Sequence, residues 1–537
     1  MTILKLKTNL KYELILFVLF FLYTFILTYN IPFFWEDKLF LDAISTAGYK
    51  DLIKQTIHFG TPNFSHPGEP LTILSMKLIN KISGINYLWF RVFRSVIYGL
   101  CISLLFLLLD TFGISERRAL FITITNGFFF PLFLTNFFVP RPEITGIAAK
   151  ILGLSLFFQG FFKNKELSKT EFYLLQAISF ITLLIAIKLV SPLYFLAPTL
   201  TLFILCIDYK LIKKYWLFLG LLLAINFPSN ISTMIKGNIG TYTLSATNPE
   251  LMLRLGEFSS FFPLNNLYYK TLPELVTPLG AVTIVFIIIT LIYKFFNGKK
   301  LFDMKEKSFL IFMTLDFAFN FLIMFATPDP AARYMVYFMI PFLSMLIFLL
   351  FKTGDIIGQK KFKRIILLFL VFTCIISAYN ISLSLLYRFT WGNAFIGMDE
   401  TSKYIDARPG DKVIFYYSGS VANEYSPLKV EKCKFVALLN STFVQKVQYS
   451  NSDINEMNKY KQQKKQVYLI KRVTATGRTE YPQIDFDSDV NFKLIKIIEA
   501  DNSTIDEIFF KIINKFKKRN QFNNNIFKIY QYKYRAG

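Results

Sequence analysis

Apolar runs close to twenty residues long recur down this chain, and no other feature narrows its fold so far. Crossing about 30 Å of hydrocarbon takes about 20 residues of helix. By that length and apolarity, spans are predicted at 12–30, 92–110, 119–138, 144–162, 172–190, 192–207, 215–235, 276–296, 308–326, 333–351 and 364–386, which makes about eleven. Lys188 and Pro192 interrupt the stretch 172–207, which reads either as two spans with a tight turn or as one broken helix. Hydrophobic residues make up 53% of the 537, and Phe alone counts 62, more than a soluble protein of this size carries. The expected fold class is therefore an α-helical polytopic membrane protein over 1–390. Beyond that point the composition turns polar and charged, which predicts a separate soluble domain over 391–537. Lys5, Lys7 and Lys11 precede the first apolar run as in a signal peptide. That run is too long and lacks a small-x-small cleavage site, so it reads as an uncleaved first span.

Charge then sets the orientation. The net charge of +24 would suggest nucleic acid in a soluble protein. Here the basic residues fall mostly in short loops between spans, so nucleic acid is not an expected partner and the lipid bilayer is. With the N-terminus in the cytoplasm, the alternate loops carry Arg117 and Arg118; Lys163, Lys165 and Lys169; Lys210, Lys213 and Lys214; Lys294 to Lys307; and Lys352 to Arg364. The opposite short loops carry only Arg141, Lys188 and Arg333, which obeys the positive-inside rule. The segments 31–90, 139–143, 236–275 and 327–333 then lie outside, with the C-terminal domain, on a protein expected in the plasma membrane. Strand-like runs at Lys412–Tyr417, Gln466–Ile470, Phe492–Ile498 and Ile526–Tyr532, with helices over 399–406 and 504–517, make that domain an extracytoplasmic α/β unit.

The outer segments hold the candidate chemistry. Directly after the first span the chain reads Trp35-Glu36-Asp37-Lys38, with Asp42 further on. A carboxylate at a membrane boundary can take a proton from an attacking hydroxyl or bind a metal; it can also be a plain charged rim. His66 sits in a rigid turn with Pro67, Gly68 and Pro70, placed to orient a polar group or a phosphate. Arg91 and Arg94 are one turn apart on a helix. They could grip a phosphate or snorkel to the boundary, and snorkelling is the expectation for at least one of them. Arg141 and Glu143 flank Pro142 at a span's start, and Arg333-Tyr334 opens another span against the charge rule. Arg333 there could stabilise a phosphate leaving group. Four outer segments thus bring acids, a His and arginines to one surface, which suits a transferase with a lipid-phosphate donor. There is no Walker A loop and no strand-linked GxGxxG. The four cysteines form no zinc-type pair. Asp485-Phe486-Asp487-Ser488-Asp489 lacks EF-hand spacing and reads as a solvated turn.

The order acidic pair, His-Pro, Arg-x-x-Arg-Ser, Arg-Pro-Glu and late Arg-Tyr resembles the GT-C superfamily of integral membrane glycosyltransferases. The nearest groups are the protein O-mannosyltransferase and aminoarabinose transferase type. The resemblance implies an inverting transfer from a polyprenyl- or dolichyl-phosphate sugar to a glycan, lipid or protein acceptor. Asp37 would be the general base and Glu36 its alternate, because the pair here reads Glu-Asp where that family usually has Asp-Glu. His66, Arg91, Arg94, Arg141, Glu143, Arg333 and Tyr334 would line the donor-phosphate and acceptor clefts. No cofactor is implied beyond a divalent cation, whose requirement the carboxylates leave open. Oligosaccharyltransferases fit less well, since the tail lacks their Trp-Trp-Asp-Tyr-Gly motif. Two other readings stand beside this one. A transporter or flippase of a lipid-linked glycan would need mid-span ionisable residues, for which Asp316 and Lys188 are the candidates. A non-catalytic envelope-assembly protein would use its soluble domain for binding.

Overall fold

The computed structural model describes residues 10–29, 47–57, 69–83, 87–129, 143–163, 165–189, 192–235, 302–326, 336–357, 364, 371, 400–401, 403–405, 407–417, 441–446, 451–473, 486–487, 489–499 and 526–533. The chain divides into two units: Met1–Ile26, Ile44–Gly84 and Val92–Ile381 form one, and Leu27–Ala43, Ile85–Arg91 and Ser382–Gly537 the other.

The first unit is helical. Its elements, apart from the last two residues of α1 and the first five of α4, which belong to the second unit, are α1 (Leu10–Thr28), α2 (Tyr49–Ile57), α3 (Glu69–Ser83), α4 (Tyr87–Thr111), α5 (Glu116–Phe129), α6 (Glu143–Phe162), α7 (Lys169–Leu189), α8 (Pro192–Asp208), α9 (Ile212–Ile235), α10 (Met304–Ala326) and α11 (Val336–Ile357). Among the described residues three helical stretches are long and apolar enough to cross a membrane: Leu88–Thr111, Ile144–Phe162 and Lys169–Ile187. The sequence expectation of about eleven spans is thus met in part. α8 has 17 residues with Pro198 inside it, at the lower end of what a crossing takes, and the expected spans 276–296 and, apart from residues 364 and 371, 364–386 lie outside the described residues. The stretch 172–207 is divided between two helices, α7 and α8, with residues 190–191 outside the described residues.

Helix ends follow local chemistry. Gly113 adopts φ +72° just past α4. Its N–H bonds Asp110 O, and Ile114 N–H bonds Leu109 O, the paired bonds of a Schellman stop. Lys210 at φ 57° does the same past α8. α7 opens on a capping box: Ser168 Oγ accepts the Glu171 N–H at 3.3 Å, and Glu171 Oε2 accepts the Ser168 N–H at 3.0 Å.

Between helices, small residues set the spacing, as expected where lipid gives no hydrophobic drive to pairing. α6 and α7 approach at Gly153, whose carbonyl accepts the Ser179 hydroxyl at 2.8 Å. A Cβ on Gly153 would stand 2.7 Å from Leu183 Cγ. Two turns on, Gly160 leaves the room filled by Gln176. Phe112, at the exit of α4, packs its ring edge-on against Phe162 of α6 and Phe309 of α10 and tilted against Phe158 and Phe312 of the same two helices. α5 and α11 are joined by Asn126, which donates to Ser344 Oγ at 3.2 Å.

The second unit contains a five-stranded sheet built from β1 (Lys412–Tyr417), β2 (Ser441–Lys446), β3 (Gln466–Val473), β4 (Phe492–Glu499) and β5 (Ile526–Tyr532), with α12 (Asn451–Gln462) between β2 and β3. The order is β2-β1-β3-β5-β4. The first three strands are parallel, and β5 and β4 are antiparallel to their neighbours. β1 and β5 match the predicted runs residue for residue, and β3 and β4 start where predicted and extend further. β2 and α12 were not predicted. One sheet face presents Val413, Phe415, Val467, Leu469, Tyr530 and Tyr532 to Ile454, Met457 and Tyr460 of α12. The Asp485–Asp489 stretch holds no ion-binding geometry in its described part. Phe486 turns into this core, Asp487 bonds Lys528 at 2.6 Å, and Asp489 Oδ1 accepts the Asn491 N–H at 2.9 Å.

Candidate functional site

Glu36, Asp37, His66, Arg141, Arg333 and Tyr334 lie outside the described residues. Glu143 is the first residue of α6, which fixes its backbone at that helix's start. Its side chain is outside the description, as is that of Lys188.

Arg91 and Arg94 are the two candidates whose side chains are placed. Both lie in the first two turns of α4, a helix of 25 residues that spans roughly 37 Å at 1.5 Å per residue. Arg91 is 1% exposed and Arg94 3%. That corrects the snorkelling expectation: a snorkelling side chain carries its charged head out to water, and neither guanidinium reaches it. Ser95, four residues after Arg91 and so on the same side of the helix, is fully buried. Its hydroxyl has no hydrogen-bond partner among the described residues. Below, on the same helix, Tyr98 OH donates to Gly127 O at 2.7 Å and pins α4 to α5. The start of α4 therefore carries two buried guanidinium groups and a buried, unmatched hydroxyl within five residues. Arginine's planar fork matches phosphate oxygens in pairs, so the arrangement is chemically fit for a phosphate.

A second charged locus was half seen in the sequence. Asp316 on α10, noted as a mid-span acid, is 3% exposed. Its partner is Lys150 on α6, which sequence reading passed over. Lys150 donates to Asp316 Oδ1 at 2.9 Å and to Oδ2 at 2.8 Å. Asn320, one turn along α10, adds a bond from Nδ2 to Oδ1 at 2.9 Å. The only signal for Lys150 was a single cation within the apolar run of α6. Beside the pair is a cavity of about 30 Å³, lined by Leu105, Leu108, Leu154, Phe312, Ile340 and Pro341 among others.

Among the described residues no group of three or more His, Cys, Asp or Glu could hold a metal ion. Glu36 and Asp37, whose carboxylates left a metal requirement open, are not among the described residues.

No protein-family model matches the chain, and no curated protein matches it. One similar solved structure is the crystal structure of the Archaeoglobus fulgidus oligosaccharyltransferase, tethered by a disulfide bond to an acceptor peptide containing the NVT sequon. It has a TM-score of 0.46 and 11% sequence identity, over 98% of this chain and 89% of that chain.

Proposed function

We propose that this protein is a membrane glycosyltransferase. It moves a sugar from a polyprenyl- or dolichyl-phosphate donor to a glycan, lipid or protein acceptor at the outer face. The observation that carries the reading is the buried Arg91–Arg94–Ser95 constellation at the start of α4. Two guanidinium groups one turn apart at the end of an apolar span match phosphate oxygens in charge and geometry, and a donor phosphate presents such oxygens. In this reading the guanidinium groups hold the phosphate as the glycosidic bond breaks, and Asp37 takes the proton from the acceptor hydroxyl. In the sequence Arg141 precedes α6, Glu143 opens it, and Arg333 and Tyr334 precede α11; in this reading these residues complete the cleft.

The test is purified protein in lipid nanodiscs, incubated with a panel of polyprenyl-phosphate sugars and an acceptor mixture while donor consumption is scored. Wild type consumes at least one donor. Asp37→Asn lowers turnover about a hundredfold or more, the usual weight of a positioned general base. Unchanged transfer in both Asp37→Asn and Glu36→Gln would remove the acidic pair from catalysis and the reading with it.

The Lys150–Asp316 pair favours one rival specifically, since a buried charge pair inside a helix bundle is what a transporter uses. A flippase would move a lipid-linked glycan between leaflets with its headgroup intact. Leaflet counting of a labelled donor separates that outcome from consumption.

A further inference from the structure

We infer that Lys150 and Asp316 are positioning residues for the transfer reaction, a charged bridge that fixes the spacing of α6 and α10 beneath the catalytic cleft; this rests on the glycosyltransferase reading. Besides Lys305 over the Phe162 ring at the far end of α6, two contacts join α6 and α10 among those described. One is the ring pair Phe158–Phe312, with centroids 5.4 Å apart. The other is the bridge, nearer the α6 start. A close-packed interface would set the spacing of two helices without help. Here the helices leave a cavity of about 30 Å³ at the level of the bridge, so side-chain packing alone does not define their distance at that point. The charge pair does, because two short bonds to both carboxylate oxygens tolerate little stretch. Asn320 locks the carboxylate on the α10 side, donating to Asp316 O at 2.7 Å and to its Oδ1 at 2.9 Å.

The levers are short. Lys150 lies seven residues after Glu143, roughly 10 Å along α6, and Asp316 ten residues before Ala326, roughly 15 Å along α10. Those helix ends lead directly into the segments that carry Arg141 and Arg333. Pro341, in the wall of the same cavity, interrupts the hydrogen-bond ladder of α11, the helix that Arg333 and Tyr334 precede. A change in spacing at the bridge is thus carried to two outer segments at once, the one before α6 and the one between α10 and α11. It would misplace reacting groups without removing any of them, an error that catalysis punishes in turnover.

The experiment has two arms on the full-length protein, with native cysteines replaced by serine. Spin labels at Thr145→Cys and Ala326→Cys report the distance between the helix ends, whether or not the protein transfers sugar. One narrow distance distribution is expected with the bridge intact. Lys150→Met and Asp316→Asn each broaden or shift it by several Å, and the swap K150D/D316K restores it, with the Asn320 amide oxygen turned to the new ammonium. In the transfer assay the single variants lose tenfold or more in kcat with donor KM within threefold, and the swap recovers to within threefold of wild type. Should a single variant fail to fold, Lys150→Met/Asp316→Leu removes both charges together; it is expected to fold with a broad distribution and the same loss of kcat. A narrow, unshifted distribution in the folded single or doubly neutral variants overturns the bridge. Narrowed distances without any donor consumption by wild type overturn the glycosyltransferase reading instead and leave the bridge standing.

Discussion

Asp487 shows how one side chain in the second unit resolves a local electrostatic conflict. Lys471 and Lys528 are directly opposite each other on β3 and β5, a like-charge pairing that costs stability. Asp487 accepts from Lys528 Nζ at 2.6 Å and from Tyr530 OH at 2.9 Å. The Lys528 hydrogen bond, helped by Tyr530 and by the charge of Lys471, holds its carboxyl below the usual carboxylate range against a smaller opposing effect of burial. A carboxyl depressed on folding adds stability above its unfolded value of about 3.9, and that contribution disappears as pH falls through the folded value. Asp487→Asn is therefore expected to weaken the sheet at pH 7 and to converge on wild type as pH falls through the folded value. Because the side chain is 44% exposed, the loss at neutral pH is about 1 kcal/mol or less. Amide exchange in β3 and β5 across a pH series checks it, and a constant difference between the two proteins at all pH values would refute the linkage.

At the scale of elements, the α6–α7 contact depends on the absence of a side chain. A Cβ on Gly153 would meet Leu183 Cγ and Cδ2 at 2.7 Å, and the Leu183 backbone nitrogen at 3.2 Å. Leu183 is fully buried, so it has nowhere to retreat. Gly153→Ala should cost about 1–3 kcal/mol through overpacking, outweighing the gain in helix propensity of about 1 kcal/mol. Gly220 on α9 has nothing within 4 Å of its virtual Cβ, and there the same substitution should keep that gain. Thermal midpoints in one detergent compare the two, and a rise for both would show that α6 and α7 can separate without loss. The sequence showed the helix here but not its contact. The apolar run of α6 predicted the helix to within a residue at its start, because length and apolarity are local properties. The partner of Gly153, like the Asp316 that meets Lys150, is a matter of which helix packs where. α12 was missed for another reason: its apolar stripe against the sheet is only Ile454, Met457 and Tyr460 of twelve residues, too thin to stand out in a polar stretch. The candidate site was legible only as an order of motifs, and what the structure adds to it is the burial of Arg91 and Arg94, which speaks against a snorkelling rim.

For the whole molecule, the alternation of basic loops makes a demand on the helix bundle: the helix ends assigned to the cytoplasm must lie together. Several do, through direct contacts. Lys307 at the start of α10 pairs with Asp208 at the end of α8 at 2.8 Å. Glu306 pairs with Lys352 near the end of α11. Asp355, also on α11, pairs with Arg118 at the start of α5 at 2.7 Å. Lys305 lies 5.5 Å from the ring centre of Phe162 at the end of α6. Five helix ends predicted from loop charge to share a side thus meet at one end of the bundle, which an odd shift in span number would have scattered. Which side of the membrane they face is then a single binary question. In whole cells, an impermeant maleimide should leave Lys163→Cys and Lys213→Cys unlabelled until the membrane is permeabilised, while Asn455→Cys on the exposed side of α12 is labelled at once. The reverse pattern would place the Glu36–Asp37 segment in the cytoplasm, where nucleotide-activated sugars are at hand. The need for a lipid-carried donor, and with it the phosphate role of Arg91 and Arg94, would then fall.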